Sequence, residues 1–195
     1  MKNNKNIGLF FGSFNPIHIG HLIIADYCSQ YTDLEKIWFI VSPQNPLKQK
    51  HTLLSNHHRM ALVNLAIEDN LCFKSSDIEF GLPLPSYTIN TLTVLKEKYP
   101  HKNFNLILGA DNLETFEKWR NYEDILANHK LYVYPRPNAD GGKFINHPSI
   151  KWIDAPLIEI SASFIRNAIR NKKDVRYFLP EKVYRYIYEM HFYEK

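Results

Sequence analysis

Short apolar runs alternate with helix-like segments along this chain, and that alternation constrains its fold most. Four runs, at residues 7–11, 37–41, 104–108 and 131–134, have the length and the β-branched or aromatic content of buried strands. Between them, apolar residues recur at helical spacing, which predicts helices over 21–31, 55–69 and 87–98. Strands that alternate with helices predict an α/β fold with a doubly wound, mostly parallel sheet and helices on both faces.

The pattern changes after residue 135, where proline and glycine accumulate over 135–142 and predict a surface loop. We expect a short strand over 151–154 and two helices over 163–171 and 180–191. Ser55 and Ser86 are the predicted N-caps of their helices, and Pro180 suits the first turn of the last helix. The sequence contains no internal repeat, so we expect one domain over 1–195, with a helical subregion from about residue 160 onward.

Composition narrows the class of protein. A chain of 195 residues with 45% hydrophobic content can bury a full core. The cysteines, Cys28 and Cys72, lie far apart and neither belongs to a C-x-x-C pair, which favours free thiols over a disulfide framework or a thiolate zinc site. No run reaches the roughly 18 apolar residues that a membrane span needs. We therefore expect a cytoplasmic protein with neither a membrane nor a nucleic acid as partner.

Residues 12–21 read Gly-Ser-Phe-Asn-Pro-Ile-His-Ile-Gly-His and directly follow the first predicted strand. In a doubly wound sheet, ligands bind beyond the carboxyl ends of the strands, where backbone N–H groups and helix N-termini attract anions. His18 and His21 are three positions apart, so both imidazoles project to one side if a helix begins there. Gly12 and Gly20 allow a close approach to a phosphate. The stretch predicts a nucleotide phosphate site, although a lone His-x-x-His is as compatible with surface or core histidines.

A second candidate segment reads Ile-Ser-Ala-Ser-Phe-Ile-Arg over residues 160–166. Ser161 and Ser163 can cap a helix while they donate to a phosphate, and Arg166, one turn further on, offers a permanent charge with several donors. The simpler alternative is a capped amphipathic helix with a solvated arginine. The functional hypothesis requires this segment and the two histidines to meet around one triphosphate.

The two motifs resemble the signature of the nucleotidylyltransferase superfamily, Gly-x-Phe-x-Pro-x-His-x-Gly-His followed by Ile-Ser-x-Ser/Thr-x-x-Arg. The resemblance implies a Rossmann-like fold with C-terminal helices appended to it, and ATP as a substrate. It implies catalytic roles for His18, His21 and Arg166. The ATP-binding residues that it implies are Gly12, Ser13, Phe14, Gly20, Ser161 and Ser163.

Segments between the two motifs and after the second one are similar to those of bacterial nicotinate mononucleotide adenylyltransferases. Residues 86–92 resemble that family's Ser-Tyr-Thr-x-x-Thr-Leu, residues 108–113 its Gly-Ala/Gln-Asp segment, and residues 178–187 its Leu-Pro-x-x-Val-x-x-Tyr-Ile. The similarity implies that an aromatic ring stacks on the pyridine ring of the mononucleotide. The implied mononucleotide site consists of Lys48, Ser86, Tyr87, Thr88, Gly109, Asp111, Trp119 and Arg136, with Trp119 as the stacking ring. The chain departs from the family at Arg120, where many relatives have tyrosine, and in the loop over 42–48.

The implied reaction is adenylyl transfer from ATP to nicotinate mononucleotide, which gives nicotinate adenine dinucleotide and pyrophosphate in NAD biosynthesis. Mg²⁺ is the expected cofactor, bound through the ATP phosphates rather than by a cluster of protein ligands. Three alternatives stay open: transfer to phosphopantetheine, transfer to nicotinamide mononucleotide, and a non-catalytic ATP-binding paralogue. The tetrapeptide His-Ile-Gly-His also matches class I aminoacyl-tRNA synthetases, but no Lys-Met-Ser-Lys-Ser-like loop accompanies it. Assembly into a homo-oligomer is compatible with the sequence.

Overall fold

A computed structural model describes residues 5–43 and 53–194, and these residues form a parallel sheet of six strands. The strands are β1 (Lys5–Gly12), β2 (Lys36–Val41), β3 (Phe73–Ser76), β4 (Lys102–Gly109), β5 (Leu131–Tyr134) and β6 (Ile150–Trp152). Their order across the sheet is β3-β2-β1-β4-β5-β6. The four predicted apolar runs lie in β1, β2, β4 and β5, so the predicted α/β fold with a parallel sheet is confirmed.

The strand order reverses between β1 and β4, which are neighbours in the sheet although two strands and three α-helices lie between them in the sequence. At such a switch point a crevice opens beyond the carboxyl ends of the strands, and ligands of doubly wound folds bind there. Gly12 pairs with Val41 between β1 and β2, and Gly109 pairs with Tyr134 between β4 and β5. The last residues of these four strands therefore lie along one edge of the sheet.

Helices cover both faces of the sheet, as predicted. They are α1 (Ile19–Tyr31), α2 (Asn56–Ile67), α3 (Thr88–Lys98), α4 (Ala110–Glu114), α5 (Tyr122–Asn128), α6 (Ala162–Arg170) and α7 (Glu181–Glu189). Buried side chains of α1, α2, α6 and α7 share one hydrophobic cluster with one face of the sheet, and those of α3, α4 and α5 share a second cluster with the other face. Within the described ranges, none of these helices has the length and hydropathy that crossing a membrane requires.

β2 shows why continuous apolar runs located the central strands. Trp38 and Ile40 belong to the cluster on one face of the sheet, whereas Phe39 and Val41 belong to the cluster on the other. Successive side chains of a strand point to opposite faces, so a strand that is covered on both sides needs apolar residues at every position.

Several boundaries differ from the prediction. β3 was not predicted, because the edge strand Phe-Lys-Ser-Ser contains only one apolar residue. Nor were α4 and α5, whose five and seven residues are too short for a helical period to stand out. The strand predicted over 151–154 is β6, which begins one residue earlier and ends two earlier. The helix predicted over 180–191 is the shorter α7, and Pro180 is its N-cap.

The N-caps were predicted in part. Ser55 caps α2 and Ser161 caps α6, each by accepting a hydrogen bond from the backbone N–H three residues further on. The prediction that Ser86 caps the next helix is wrong, because Tyr87 is the N-cap of α3 and makes no side-chain cap bond. The Ser86 hydroxyl instead donates to the buried carboxylate of Glu79 at 3.4 Å.

Candidate active site

The loop between β1 and α1 places both candidate histidines at the carboxyl edge of the sheet. His18 is the N-cap of α1, and His21 lies in its first turn. Their rings lie close together at a tilt, with 3.7 Å between centroids and 32° between planes. The predicted projection of both imidazoles to one side is therefore confirmed. Both rings lie at the N-terminal end of a helix, which is the end that favours anions.

The backbone fixes which nitrogen of His21 carries its proton. The N–H of His18 donates to Nδ1 of His21 at 3.2 Å. A neutral imidazole that accepts at Nδ1 carries its proton at Nε2. Phe10 and Phe14 pack against the ring in T-shaped arrangements, with centroids 5.9 Å and 5.1 Å away. The ring is thus preorganised as an Nε2–H donor.

The His18 side chain is buried, and one of its ring nitrogens makes no hydrogen bond to the described residues. The residue is only 4% exposed, and its Nδ1 has no hydrogen-bond partner within the described part of the chain. Burial, with a smaller contribution from the positive charge of Arg136, lowers its pKa to about 4. His18 is therefore neutral at physiological pH.

Arg166 joins the C-terminal motif to the histidine loop. Its Nη1 donates to the backbone oxygen of Asn15 at 2.8 Å, across 151 positions of sequence, and its Nη2 donates to the Ser163 hydroxyl at 3.1 Å. Burial lowers the pKa of Arg166, but a guanidinium stays charged throughout the physiological range. The convergence of the two motifs that the functional hypothesis requires is therefore present, and Ser161 holds the start of the same helix.

Two predicted ATP-binding glycines are required by the packing of the loop itself. Phe14 adopts a left-handed conformation with φ of 44°, and its ring closes over the end of β1. A Cβ at Gly12 would lie 2.8 Å from that ring, and a Cβ at Gly20 would lie 2.7 Å from Cγ2 of Ile158. A side chain at either position would force the neighbouring Phe14 or Ile158 side chain to move. A close approach of these glycines to phosphate stays a prediction.

Arg59 of α2 was missed by the sequence reasoning, although it anchors the same loop. Its guanidinium is fully buried, and burial lowers its pKa to about 10. Five oxygens accept hydrogen bonds from it at 2.6–3.3 Å: the carbonyl oxygens of Ser13, Ser42, Pro43 and Leu54, and the side-chain oxygen of Asn56. Arg59 lies four residues before the buried Val63, so helical spacing alone places it on the inner face of the helix.

Three predicted mononucleotide residues meet beyond the ends of β4 and β5. Nε of Arg136 is 3.7 Å from Oδ1 of Asp111, and its Nη1 donates to the carbonyl of Ile158 at 3.3 Å. A Cβ at Gly109 would lie 2.8 Å from the Arg136 side chain, so this turn accepts only glycine without rearrangement. Because the side chain of Ile158 also lies against Gly20, this group borders the histidine loop.

A buried carboxylate ties the segment over 86–88 to the strand ends. Glu79 accepts from the Thr91 hydroxyl at 2.7 Å and from Ser86, and the Ser42 side chain also bonds to it. Burial raises the pKa of Glu79. The N–H of Ser42 in turn donates to the carbonyl of Gly12 at 2.9 Å. Ser86 is thereby connected through two side chains to the loop that follows β1.

The remaining predicted mononucleotide residues lie at the adjoining helix ends. Thr88 is the first residue of α3, and the Arg120 guanidinium lies 5.1 Å above the ring of Tyr87, one residue before it. Trp119 packs on Phe116, with centroids 5.0 Å apart, and is partly buried. The departure from the family at Arg120 therefore contacts the predicted mononucleotide site directly. Lys48, with the rest of 44–52, lies outside the described residues.

The donor set at the histidine loop suits an anion. It consists of Nε2–H of His21, the Arg166 guanidinium and the backbone N–H groups that begin α1. Within residues 5–43 and 53–194, no three His, Cys, Asp or Glu side chains come together as metal ligands. Mg²⁺ held by phosphates fits this arrangement, since that ion keeps several waters and needs few protein ligands.

Comparison with known proteins agrees with the site. The sequence model of the family described as cytidylyltransferase-like matches residues 9–168, which include both motifs. Fold and site thus define a nucleotidyltransferase of this class. The protein named probable nicotinate-nucleotide adenylyltransferase in Flavobacterium psychrophilum is 55% identical over 191 residues, 97% of this chain and 99% of that protein. The protein of the same name in Bacteroides thetaiotaomicron is 46% identical over 96% of this chain and 93% of its own. The chain belongs to the nicotinate-nucleotide adenylyltransferase family.

Solved structures share the fold at low sequence identity. The Plasmodium falciparum nicotinic acid mononucleotide adenylyltransferase complexed with NaAD superposes with a TM-score of 0.82 at 21% identity, and 98% of each chain is covered. The same enzyme complexed with APC gives a TM-score of 0.80. This likeness confirms the Rossmann-like architecture over the length of the chain.

Proposed function

We propose that this chain transfers the adenylyl group of ATP to nicotinate mononucleotide and releases nicotinate adenine dinucleotide and pyrophosphate. Relatives such as the 55% identical Flavobacterium protein carry the name of this activity. The observation that carries the proposal is the hydrogen bond from Arg166 to Asn15, because it brings the C-terminal motif onto the loop of the two histidines. Neither motif alone distinguishes a phosphate site from ordinary helix capping.

The chemistry requires no covalent enzyme intermediate. An oxygen of the 5′-phosphate of the mononucleotide attacks the α-phosphorus of ATP and forms the new P–O bond. The bond from that phosphorus to the bridging oxygen breaks, and pyrophosphate leaves with the electron pair. The attacking phosphate has a second pKa of about 6, so it is already an anion and gains little from a general base. Alignment and charge stabilisation are what the protein has to supply.

The three proposed catalytic residues supply different interactions: two offer hydrogen bonds, and the third adds a permanent positive charge. His21 presents Nε2–H in a fixed direction, because its Nδ1 is occupied by a backbone N–H. His18 is neutral, so it offers a hydrogen bond without adding positive charge. Arg166 supplies the permanent charge and is held in place by Asn15 and Ser163. Arg166 and the N-terminal end of α1 stabilise the negative charge that grows on the phosphoryl oxygens.

ATP and the mononucleotide occupy separate parts of the proposed site. ATP lies along residues 12–14, Gly20 and the start of α6, and the mononucleotide lies against 86–88, the Asp111–Arg136 pair and Trp119. Mg²⁺ on the ATP phosphates would offset their charge and favour departure of pyrophosphate. Action in the cytoplasm, without a nucleic acid or membrane partner, belongs to the same proposal.

The test measures pyrophosphate release from ATP and Mg²⁺ with nicotinate mononucleotide, nicotinamide mononucleotide and phosphopantetheine side by side. We expect turnover to be highest with the first acceptor; no turnover with it, or preference for another, contradicts the proposal. Arg166→Ala should lower kcat by about 10² or more, the usual effect of losing one preorganised donor. Arg170→Ala, an exposed arginine one turn further along α6, is the matched control.

A further inference from the structure

The chain beyond α7 turns back toward the histidine loop. The N–H of Phe192 donates to the carbonyl of Ile187 at 3.0 Å, and the N–H of His191 donates to the carbonyl of Tyr188 at 3.2 Å. His191 has a φ of 54°. These two bonds and the left-handed residue define a Schellman motif, which ends a helix and redirects the chain in a fixed way. The direction of residues 192 and 193 is therefore determined by the end of the helix.

Aromatic packing holds this turn in place. The ring of Phe192 lies 4.8 Å from that of His58 on α2 and 5.8 Å from that of Tyr186 on α7. Nδ1 of His58 is 3.1 Å from the Tyr186 hydroxyl, so a hydrogen bond links the two side chains that enclose the ring. The C-terminal turn is thus part of the folded body on the α2 side of the sheet.

Tyr193 reaches from this turn to the residue that supports Arg166. Its hydroxyl donates to Oδ1 of Asn15 at 2.8 Å, and the same oxygen accepts the N–H of Leu54 at 3.2 Å. Asn15 is buried and lies three residues before His18. Three parts of the chain therefore meet on Asn15: the start of α2, the C-terminal turn and α6.

We propose that Tyr193 is a positioning residue for adenylyl transfer: through Asn15 it fixes the loop that carries His18 and His21. This inference rests on the proposed function. Displacement of a catalytic group by about 1 Å can cost as much as 10² in rate, so one hydrogen bond at the base of the loop matters more for kcat than for folding. Burial raises the pKa of the Tyr193 hydroxyl, which therefore stays a donor at any pH suitable for the assay.

The experiment removes the hydroxyl and keeps the ring. We expect Tyr193→Phe to lower kcat by about tenfold, with the KM of ATP and of nicotinate mononucleotide unchanged within about twofold. Tyr177→Phe makes the same chemical change at a residue that is 87% exposed, and should match the wild type. Assays are run at a temperature at which circular dichroism shows every variant folded.

Two further measurements separate positioning from a general structural effect. In a double-mutant cycle, Tyr193→Phe should have almost no additional effect on kcat once Asn15 is replaced by alanine. In hydrogen exchange, the backbone amides of residues 13–15, 17 and 18 should exchange faster in Tyr193→Phe, while those of β4 should not. A kcat within twofold of the wild type, additive effects in the cycle, or unchanged exchange would each overturn the inference. If the wild type shows no turnover, the proposed function fails, and the exchange experiment still decides whether Tyr193 holds the loop.

Discussion

The burial of His18 makes the free energy of unfolding depend on pH. Its pKa is about 4 in the folded chain, against 6.5 for an ordinary histidine. Because the unfolded chain takes up the proton first, the stability that neutral His18 contributes is fully present above about pH 6.5 and is lost as the pH falls toward about 4. The difference between the two pKa values corresponds to about 3 kcal/mol.

Urea unfolding of the wild type and of His18→Asn, measured from about pH 7.5 to about pH 4, tests this value. Asparagine is a good N-cap, so α1 keeps its first turn in the variant. Carboxylates also titrate in this range, so the informative quantity is the difference between the two proteins. Over the interval the wild type should lose about 3 kcal/mol more than His18→Asn.

His101→Asn, which replaces an exposed histidine, controls for the loss of one imidazole. The reasoning is refuted if the difference between the wild type and His18→Asn does not change with pH. It is equally refuted if His101→Asn changes the pH dependence as much as His18→Asn does.

Three other substitutions address the two halves of the site and its support. His21→Ala should lower kcat for pyrophosphate release by about 10² to 10³; a loss below threefold in a folded variant would contradict the assigned role. Trp119→Ala should weaken the binding of nicotinate mononucleotide by about 1–3 kcal/mol, measured by titration calorimetry. An effect on the binding of ATP alone would argue against stacking. Arg59→Met should lower the free energy of unfolding by about 3 kcal/mol or more, whereas Arg185→Met, at a largely exposed ion pair, should cost less than about 1 kcal/mol. Equal losses in urea unfolding would show that burial of Arg59 is not the cause.

The parts of the fold that the sequence predicted are those with strong local signals. β1, β2, β4 and β5 are covered on both faces and therefore consist mostly of apolar residues, although the buried Asn105 interrupts the run in β4. The edge strand β3 carries Lys74 and two serines, because an edge position does not demand apolar side chains on both faces. Ser86 looked like a helix cap because serine is a common one, but the buried Glu79 takes its hydroxyl. That partner lies seven residues away and across a turn, which no local pattern indicates.

The functional residues that the sequence predicted are likewise those with a local signal. Histidines at a fixed spacing and a capped helix with an arginine can be identified locally, so His18, His21 and Arg166 were found. Asn15 and Tyr193 were not, because their bond joins positions 178 apart and neither residue type signals a partner. Arg59 had a signal that was overlooked: a charged residue in register with Val63 on the apolar face of α2.

The hydrogen bonds of Arg59 have a consequence for how the phosphate end of the site moves. The Arg59 guanidinium donates hydrogen bonds to carbonyl oxygens after β1, after β2 and before α2. If one of these segments moves away, the buried cation loses a hydrogen-bond partner that no water replaces. Opening one of these segments alone is therefore costly, and we expect the three to exchange their amides together as one cooperative unit. Any local motion that opens the site to a substrate must therefore occur in other segments than these three.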